Sequence, residues 1–308
     1  DISEDRELTT GPYAYVKVSE GCNRKCTFCI IPTLRGTQRS RPVGDICAES
    51  EKLVKKGVKE IILTAENTTD YGQDMAGETG FETVLEQLSG TLCDEDAWIR
   101  FLYTHPKTLT ADVVRTVRDC SNICSYYDVP IQHASSKILK RMGRPYTRED
   151  LETLFKTIRE IDPDAALRTT LIVGFPGETE DDFQELLDFV KTVRFDHLGV
   201  FTYSDSEDLK SHRLAGQVDP ETMEKRHDII MAAQAEISES FNEKYVGQVL
   251  DVLVEENTEP GVYIGRTRFQ APEVDGMTFI YADSLEINAW VKVKITDAFE
   301  YDIAGEIA

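Results

Sequence analysis

No stretch of this chain approaches the roughly 18 to 20 uncharged apolar residues that cross a bilayer. Its first ten residues, DISEDRELTT, are too acidic for a secretory or mitochondrial leader, so no membrane role and a cytoplasmic location are expected. Positive charge is scarce: 34 Lys and Arg stand against 56 Asp and Glu, a formal charge of -22. Such a surface repels a phosphate backbone unless its cations are concentrated in one patch, which disfavours nucleic acid as the direct substrate and favours a basic protein partner. Solenoid-period repeats and low-complexity tracts are also missing. The seven cysteines are odd in number and three crowd into eight positions, which argues against a secreted disulfide framework and for metal binding or chemistry in a reducing compartment.

What is present is enough for a full core: 308 residues, 41% of them hydrophobic, and by length about two domains. Residues 1–12 read as a linker remnant. From there to residue 203, short β-branched apolar runs alternate with amphipathic segments. The predicted strands are YAYVKVS (13–19), KEIILTA (59–65), WIRFLYT (98–104), YYDVPIQ (126–132), LRTTLIVGF (167–175) and HLGVFTY (197–203). In EDLETLFKTIREI, Leu151, Leu154, Phe155, Ile158 and Ile161 share one helical face. Six strand-helix repeats predict an α/β fold with a parallel sheet covered by helices; periodicity leaves open whether the sheet closes into a barrel. Thr179 with Asp182 is a capping signal, and Pro220 starts a connecting helix over 219–245. After Gly247 the pattern turns to short alternating segments with Pro260-Gly261 and Asp275-Gly276 turns, a small all-β barrel. The predicted domains are 13–244 and 245–308.

The chemistry gathers in GCNRKCTFCIIP, residues 21 to 32, which follows the first strand and so falls at the carboxyl end of the sheet, where α/β folds place their sites. Cys22-x3-Cys26-x2-Cys29 supplies three soft ligands, one short of filling a tetrahedral metal site or a cubane cluster, and an iron without a protein ligand stays open. A zinc site completed from Cys120-x3-Cys124, or simply buried thiols, are the alternatives on residues alone.

This Cys-x3-Cys-x2-Cys, with Phe28 just before the last cysteine, resembles the signature of the radical S-adenosylmethionine (SAM) superfamily. The resemblance implies a partial (βα)6 TIM-like barrel. It also implies a four-iron four-sulfur (4Fe-4S) cluster on Cys22, Cys26 and Cys29, SAM chelating the fourth iron, and an external electron donor that drives cleavage to a 5'-deoxyadenosyl radical. Phe28 would flank cluster and adenine.

LIVGFPGETEDDF (171–183) resembles the SAM-binding strand of the methylthiotransferases, with Val173 and Gly174 as cofactor contacts. Arg168 in the same strand has two readings, an internal salt bridge or a partner for SAM's carboxylate. DVPIQHASSKILKRMGRP (128–145) resembles the segment after the fourth strand. Its Gln132-His133-Ala134-Ser135 matches the ribosomal-protein branch, the RimO type, and not the Gln-Ser-Gly-Ser of the tRNA-modifying branch. Gln132 is the candidate to touch SAM or substrate; His133 reads as a structural hydrogen-bonder. The C-terminal barrel resembles a TRAM domain, an OB-like module, through GRTRFQAPEVDG (265–276). From Val246 to Ala308 four basic residues face twelve acidic ones, a net of -8, which opposes an RNA grip.

The chain departs from the family at Ala65-Glu66-Asn67, where a glutamine and an aspartate are common; Glu66 is kept as a cofactor contact. The resemblance places a second cluster in a further N-terminal domain, whose motif Cys47, Cys93, Cys120 and Cys124 do not reproduce. It implies methylthiolation of an aspartate β-carbon in ribosomal protein S-twelve; a monomer is expected. The alternatives are a tRNA methylthiotransferase of the same chemistry and a zinc-stabilised adaptor for basic proteins.

Overall fold

A computed structural model describes residues 11–77 and 79–308, so the predicted linker falls, for residues 1–10, outside the described residues. All six predicted strands form: β1 (Tyr13–Lys17), β2 (Glu60–Thr64), β3 (Trp98–Phe101), β4 (Tyr126–Asp128), β5 (Ala166–Val173) and β6 (His197–Thr202). They pair in parallel as β1-β2-β3 and β4-β5-β6. A parallel bridge from Ile99 to Ile123 joins the two halves. No ladder among the described residues returns β6 to β1, so the barrel is open along one side.

Alternation along each strand sorts the side chains. Val16, Ile61, Leu63, Ile99, Phe101, Tyr127, Leu167, Leu171 and Val173 point outward into the main core. The covering helices are α1 (Ile31–Arg35), α2 (Val43–Lys55), α3 (Phe81–Thr91), α4 (Ala111–Asp119), α5 (Ser136–Arg141), α6 (Arg148–Ile161), α7 (Glu180–Val193) and α8 (Pro220–Glu243). Leu151, Phe155 and Ile158 bury the inner face of α6 as its spacing requires. The capping box at Thr179 and Asp182 opens α7. Asp219 caps α8, whose first residue is Pro220 and whose end at Glu243 falls two residues short of the expected boundary.

Beyond α8 the chain forms a closed five-stranded barrel from β7 (Val249–Glu259), β8 (Val262–Arg266), β9 (Thr278–Tyr281), β10 (Trp290–Ala298) and β11 (Ile303–Ile307), in the order β8-β9-β11-β10-β7. Its loop from Arg266 to Asp275 enters the amino-terminal end of the first barrel and bonds to all six strands there. Tyr13 and Tyr15 of β1 donate to Glu273. Glu60 of β2 accepts from Arg266, and Arg100 of β3 donates to the Arg268 carbonyl. Tyr126 of β4 and Arg168 of β5 donate to Asp275, while His197 of β6 meets the Phe269 carbonyl. The small barrel thus supplies the floor of the large one. Glu60, fully buried, is held between Arg100 and Arg266, themselves no more than 3% exposed. Paired this way the three charges are tolerable in the interior; any one left alone would be strongly unfavourable.

Candidate active site

The cysteine loop runs from β1 into α1 at the opposite, carboxyl end of the strands. Backbone contacts brace it on both sides: the Cys22 N–H donates to the Gly36 carbonyl at 3.1 Å, and the Thr27 N–H to the Met142 carbonyl at 2.9 Å. The Thr27 hydroxyl bonds the Arg141 carbonyl at 2.9 Å, so the end of α5 is the loop's second support. Gly143 follows in a left-handed conformation (φ 73°), and a Cβ there would stand 2.8 Å from the Lys25 carbonyl oxygen. Only glycine lets α5 end this close to the loop. Arg24 is pinned by a two-pronged ion pair to the buried Asp70. Cys22, Cys26 and Cys29 are free and partly exposed, and burial pushes the Cys22 thiol up. Among the described residues no three His, Cys, Asp or Glu side chains are gathered closely enough to hold a single metal ion.

All three cysteines open on one cavity of about 440 Å3, whose wall is completed by the segments that follow β2, β3 and β4. Phe28, Glu66 and Gln132 line it, as the resemblance implies for cofactor contacts. Asn67, Tyr103, His105 and Arg144 line it too, and none of the four is among the contacts the resemblance implies. Four of these side chains carry a buried polar atom without a hydrogen-bond partner: Glu66 Oε2, Asn67 Nδ2, His105 Nε2 and Arg144 Nε. Unpaired buried polar atoms are unfavourable, and four on one wall mark a place shaped for a polar ligand.

His105 shows the pattern most clearly. It is 3% exposed, and burial, with Arg144 and Arg24 nearby, lowers its pKa to about 2. The ring is neutral at physiological pH. Its Nδ1 accepts from the Lys107 N–H at 3.1 Å, which leaves the proton on Nε2, the atom without a partner. Arg144 lies over the Phe28 ring at 5.5 Å, and Phe28 meets Phe175 edge to face at 6.4 Å. The wall therefore offers donors at His105, Asn67 and Arg144, an acceptor at Glu66, and an aromatic face.

The radical SAM superfamily model matches residues 16–190 and the TRAM domain model residues 246–308. A ribosomal protein uS12 methylthiotransferase RimO of Desulfosudis oleivorans is 50% identical over 304 residues, covering 98% of this chain and 69% of that protein. The chain belongs to the RimO family of radical SAM methylthiotransferases. RimO proteins of Clostridioides difficile and Thermotoga maritima are 46% and 44% identical, each over 98% of this chain and 68% and 69% of their own length. A solved radical SAM methyltransferase, TsrM of Kitasatospora setae with cobalamin and a 4Fe-4S cluster bound, shares the fold with a TM-score of 0.54 at 14% identity, over 82% of this chain and 42% of that one. Membership makes the chain that of an enzyme and implies a 4Fe-4S cluster and SAM. The residues fit that pair: three thiols with no fourth among the lining residues, beside unpaired donors and an acceptor suited to an amino acid and a nucleoside.

Three residues expected to touch SAM in this RimO-family chain lie elsewhere. Arg168 does not line the cavity; its guanidinium is taken by Asp128 at 3.0 Å and Asp275 at 3.3 Å, so the salt-bridge reading replaces the SAM-carboxylate one. Val173 alternates outward and is fully buried in the main core. Gly174 turns left-handed (φ 75°), but its N–H is bonded by Glu178 at 2.6 Å, and the Met223 side chain fills the space a Cβ would need. His133 is buried, with Nδ1 accepting from the Ser135 N–H at 2.9 Å and Nε2 without a partner; it does not line the cavity. Cys47, Cys93, Cys120 and Cys124 are free and none lines the cavity.

Proposed function

We propose that this chain forms the cofactor-binding and substrate-docking part of an enzyme that places a methylthio group on the β-carbon of an aspartate in ribosomal protein S-twelve. The observation that carries this reading is the single cavity on which three cysteine thiols and four unpaired buried polar atoms converge. In this reading Cys22, Cys26 and Cys29 hold the cluster. Phe28, Glu66, Gln132, Asn67, His105 and Arg144 form the bed for SAM. When bound, the pair supplies one-electron chemistry able to remove an unactivated hydrogen.

The chain's own contribution is to bind, orient and shield. Arg24 and Gly143 fix the loop that presents the thiols. The neutral His105 donates from Nε2 without delivering a charge. Arg144, stacked on Phe28, brings a fixed cation to the wall, suited to a carboxylate. Gln132, left-handed at φ 70° and bridged to Leu171, holds its amide at the rim by the sheet itself.

Charge supports a basic protein as the substrate. Arg266 is buried against Glu60 and Glu255, Arg268 stacks over Trp98, and Lys292 pairs with Asp251. Three of the four cations of the TRAM barrel are thereby engaged, while its acidic side chains outnumber them three to one. We infer a cytoplasmic monomer served by an external electron donor; among the described residues no helix is long and apolar enough to cross a membrane. Sulfur insertion in this reading draws on a second cluster held outside the described residues.

Anaerobic reconstitution with iron and sulfide tests the proposal. The expected result is about four irons per chain, absorbance near ~400 nm, and SAM binding that needs the cluster. Filter binding should retain ribosomal protein S-twelve in preference to tRNA. Thiols closed on zinc, or a preference for tRNA, would overturn the assignment in favour of an adaptor or a tRNA-modifying enzyme respectively.

A further inference from the structure

Three bonded steps connect the floor of the large barrel to the rim of its cavity. Asp275, in the TRAM loop, meets Arg168 Nε at 3.3 Å. Arg168 Nη1 donates to Asp128 Oδ1 at 3.0 Å. The other oxygen of Asp128, Oδ2, accepts from the Tyr103 N–H at 2.9 Å, and the Asp128 carbonyl takes both the N–H and the hydroxyl of Thr104. The two aspartates are 1% exposed and the arginine 14%. Each link is therefore shielded from water and geometrically coupled to the next.

Tyr103 is where this chain of bonds ends, and its conformation is unusual. Alternation from Trp98, Arg100 and Leu102, which meet the TRAM barrel on the inner face, would send Tyr103 outward among the helices. It instead adopts φ 61°, a backbone state that tyrosine rarely takes unless its surroundings impose it. Asp128 holds its N–H, and its carbonyl accepts from the Thr68 N–H at 3.0 Å. The result is an aromatic ring 45% exposed on the wall of the cysteine cavity, with a hydroxyl that has no hydrogen-bond partner among the described residues. Glu273, beside Asp275 in the same TRAM loop, is likewise left-handed at φ 69°. The Tyr103 end of the connection is thus fixed in a conformation that its contacts must enforce, and a second such residue lies in the loop that carries the other end.

We propose that Tyr103 is a substrate-positioning side chain and that Asp275 of the TRAM barrel is a second positioning residue, acting through Arg168 and Asp128. Seating of the TRAM loop in the barrel floor then sets the rim of the active site. The substrate class is a peptide segment of a basic protein, which rests on the proposed function. The exposed ring face suits a cationic side chain, and the free hydroxyl suits a backbone carbonyl or the carboxylate to be modified. Without Asp275 the Arg168 guanidinium loses one of its two carboxylate anchors and keeps Asp128 and Thr170, Asp128 is held less firmly, and the left-handed turn at Tyr103 loosens.

The test combines fluorine NMR with binding. The chain labelled with fluorotyrosine, its Tyr103 signal assigned from Tyr103→Phe, should show that signal displaced or broadened in Asp275→Asn. It should move less in Glu273→Gln, whose charge also reaches Tyr103 and which loosens the same loop through Tyr13 and Tyr15 but has no part in the bonded connection. Restoration by Asp275→Glu would separate charge from shape. In the full-length reconstituted enzyme, Tyr103→Leu should raise KM for ribosomal protein S-twelve about tenfold with a smaller change in kcat. Asp275→Asn should raise it in the wild-type background and by at least about twofold less in the Tyr103→Leu background. Equal movement of the signal in both loop variants, or full additivity in the cycle, overturns the connection. Unchanged KM in Tyr103→Leu overturns the role of the ring. If the wild type fails to bind ribosomal protein S-twelve at all while the NMR result holds, the substrate assignment has failed and the connection stands.

Discussion

The two ends of the large barrel are built from similar side chains and differ in whether those side chains are paired. At the amino end Glu60, Arg100, Arg266, Arg168, Asp128 and Asp275 are buried and bonded to one another. At the carboxyl end Glu66, Asn67, His105 and Arg144 are left with unpartnered atoms around a cavity. Satisfied buried charges specify one docking geometry for the TRAM barrel; unsatisfied ones reserve a place for something that arrives. Barrels of this general kind keep stability at one end and chemistry at the other, and here the ion pairs follow that line, although Arg100 Nη2 at the floor is itself without a partner.

The comparison breaks most sharply at the cysteines. Cys26→Ala is expected to abolish cluster assembly, with iron after anaerobic reconstitution falling to background and no methylthiolation in the full-length enzyme. Because the thiol is partly exposed and makes no structural bond beyond its loop, the unfolding midpoint should stay within about 1 °C of the parent. A large loss of stability would place Cys26 on the structural side of the division.

At the other end the signs reverse. Glu60→Gln removes the charge between Arg100 and Arg266 and should cost about 3 to 5 kcal/mol of stability, read by denaturant unfolding, while leaving cluster content unchanged. Acid titration sharpens this. Burial acts to raise the Glu60 pKa, but Arg100 and Arg266 together hold it below its ordinary 4.5. A depressed carboxyl contributes stability that is fully present above pH 4.5 and is lost as pH falls through the folded pKa. The parent should weaken on acidification below that value, and Glu60→Gln should weaken less over the same range.

Legibility in the sequence divides along the same line. All six strands and the caps of α7 and α8 could be read because each rests on local signals: β-branched runs, Thr-x-x-Asp, and Pro at the first helical turn. The cysteine trio was equally plain, being contiguous. The strand β11, IAGEI, carries no such signal: it is short, has a glycine at its centre and no alternation of its own. Arg168 remained undecided between two readings because its deciding partner, Asp275, is 107 residues away in another domain. Sequence separation also hid the role of GRTRFQAPEVDG, whose Arg266 is buried against Glu60, 206 residues away, and whose Arg268 lies over Trp98 and bonds the Ser121 carbonyl. Asn67, named only as a departure, and Tyr103 and His105 carried no signal as cavity contacts, yet each lies within a few residues of a strand's carboxyl end, where polar and aromatic side chains are the ones to search.

A smaller effect is expected at the unpaired wall. Arg144→Gln keeps the length of the side chain but removes the cation over Phe28, and should weaken SAM binding to the reconstituted chain roughly tenfold in equilibrium dialysis. His105→Ala should do the same to a lesser degree, without pH dependence between 6 and 8, since burial keeps the ring neutral across that range. A pronounced pH dependence that disappears in His105→Ala would mean the ring titrates, and the wall would then carry a charge the present geometry denies it.

The smallest expected effect concerns the outer surface of the TRAM barrel, which belongs to neither end. Its unpaired carboxylates are exposed to solvent, so each contributes little and salt screens them; their collective field acts on encounter more than on the final complex. Raising salt from about 50 to about 500 mM should slow association with ribosomal protein S-twelve some three- to fivefold and leave dissociation nearly unchanged. If dissociation instead accelerates in parallel, the acidic side chains are making desolvated contacts in the bound state. The barrel would then hold the substrate as well as attract it, and the division between a floor that docks and a wall that binds would extend to a third surface.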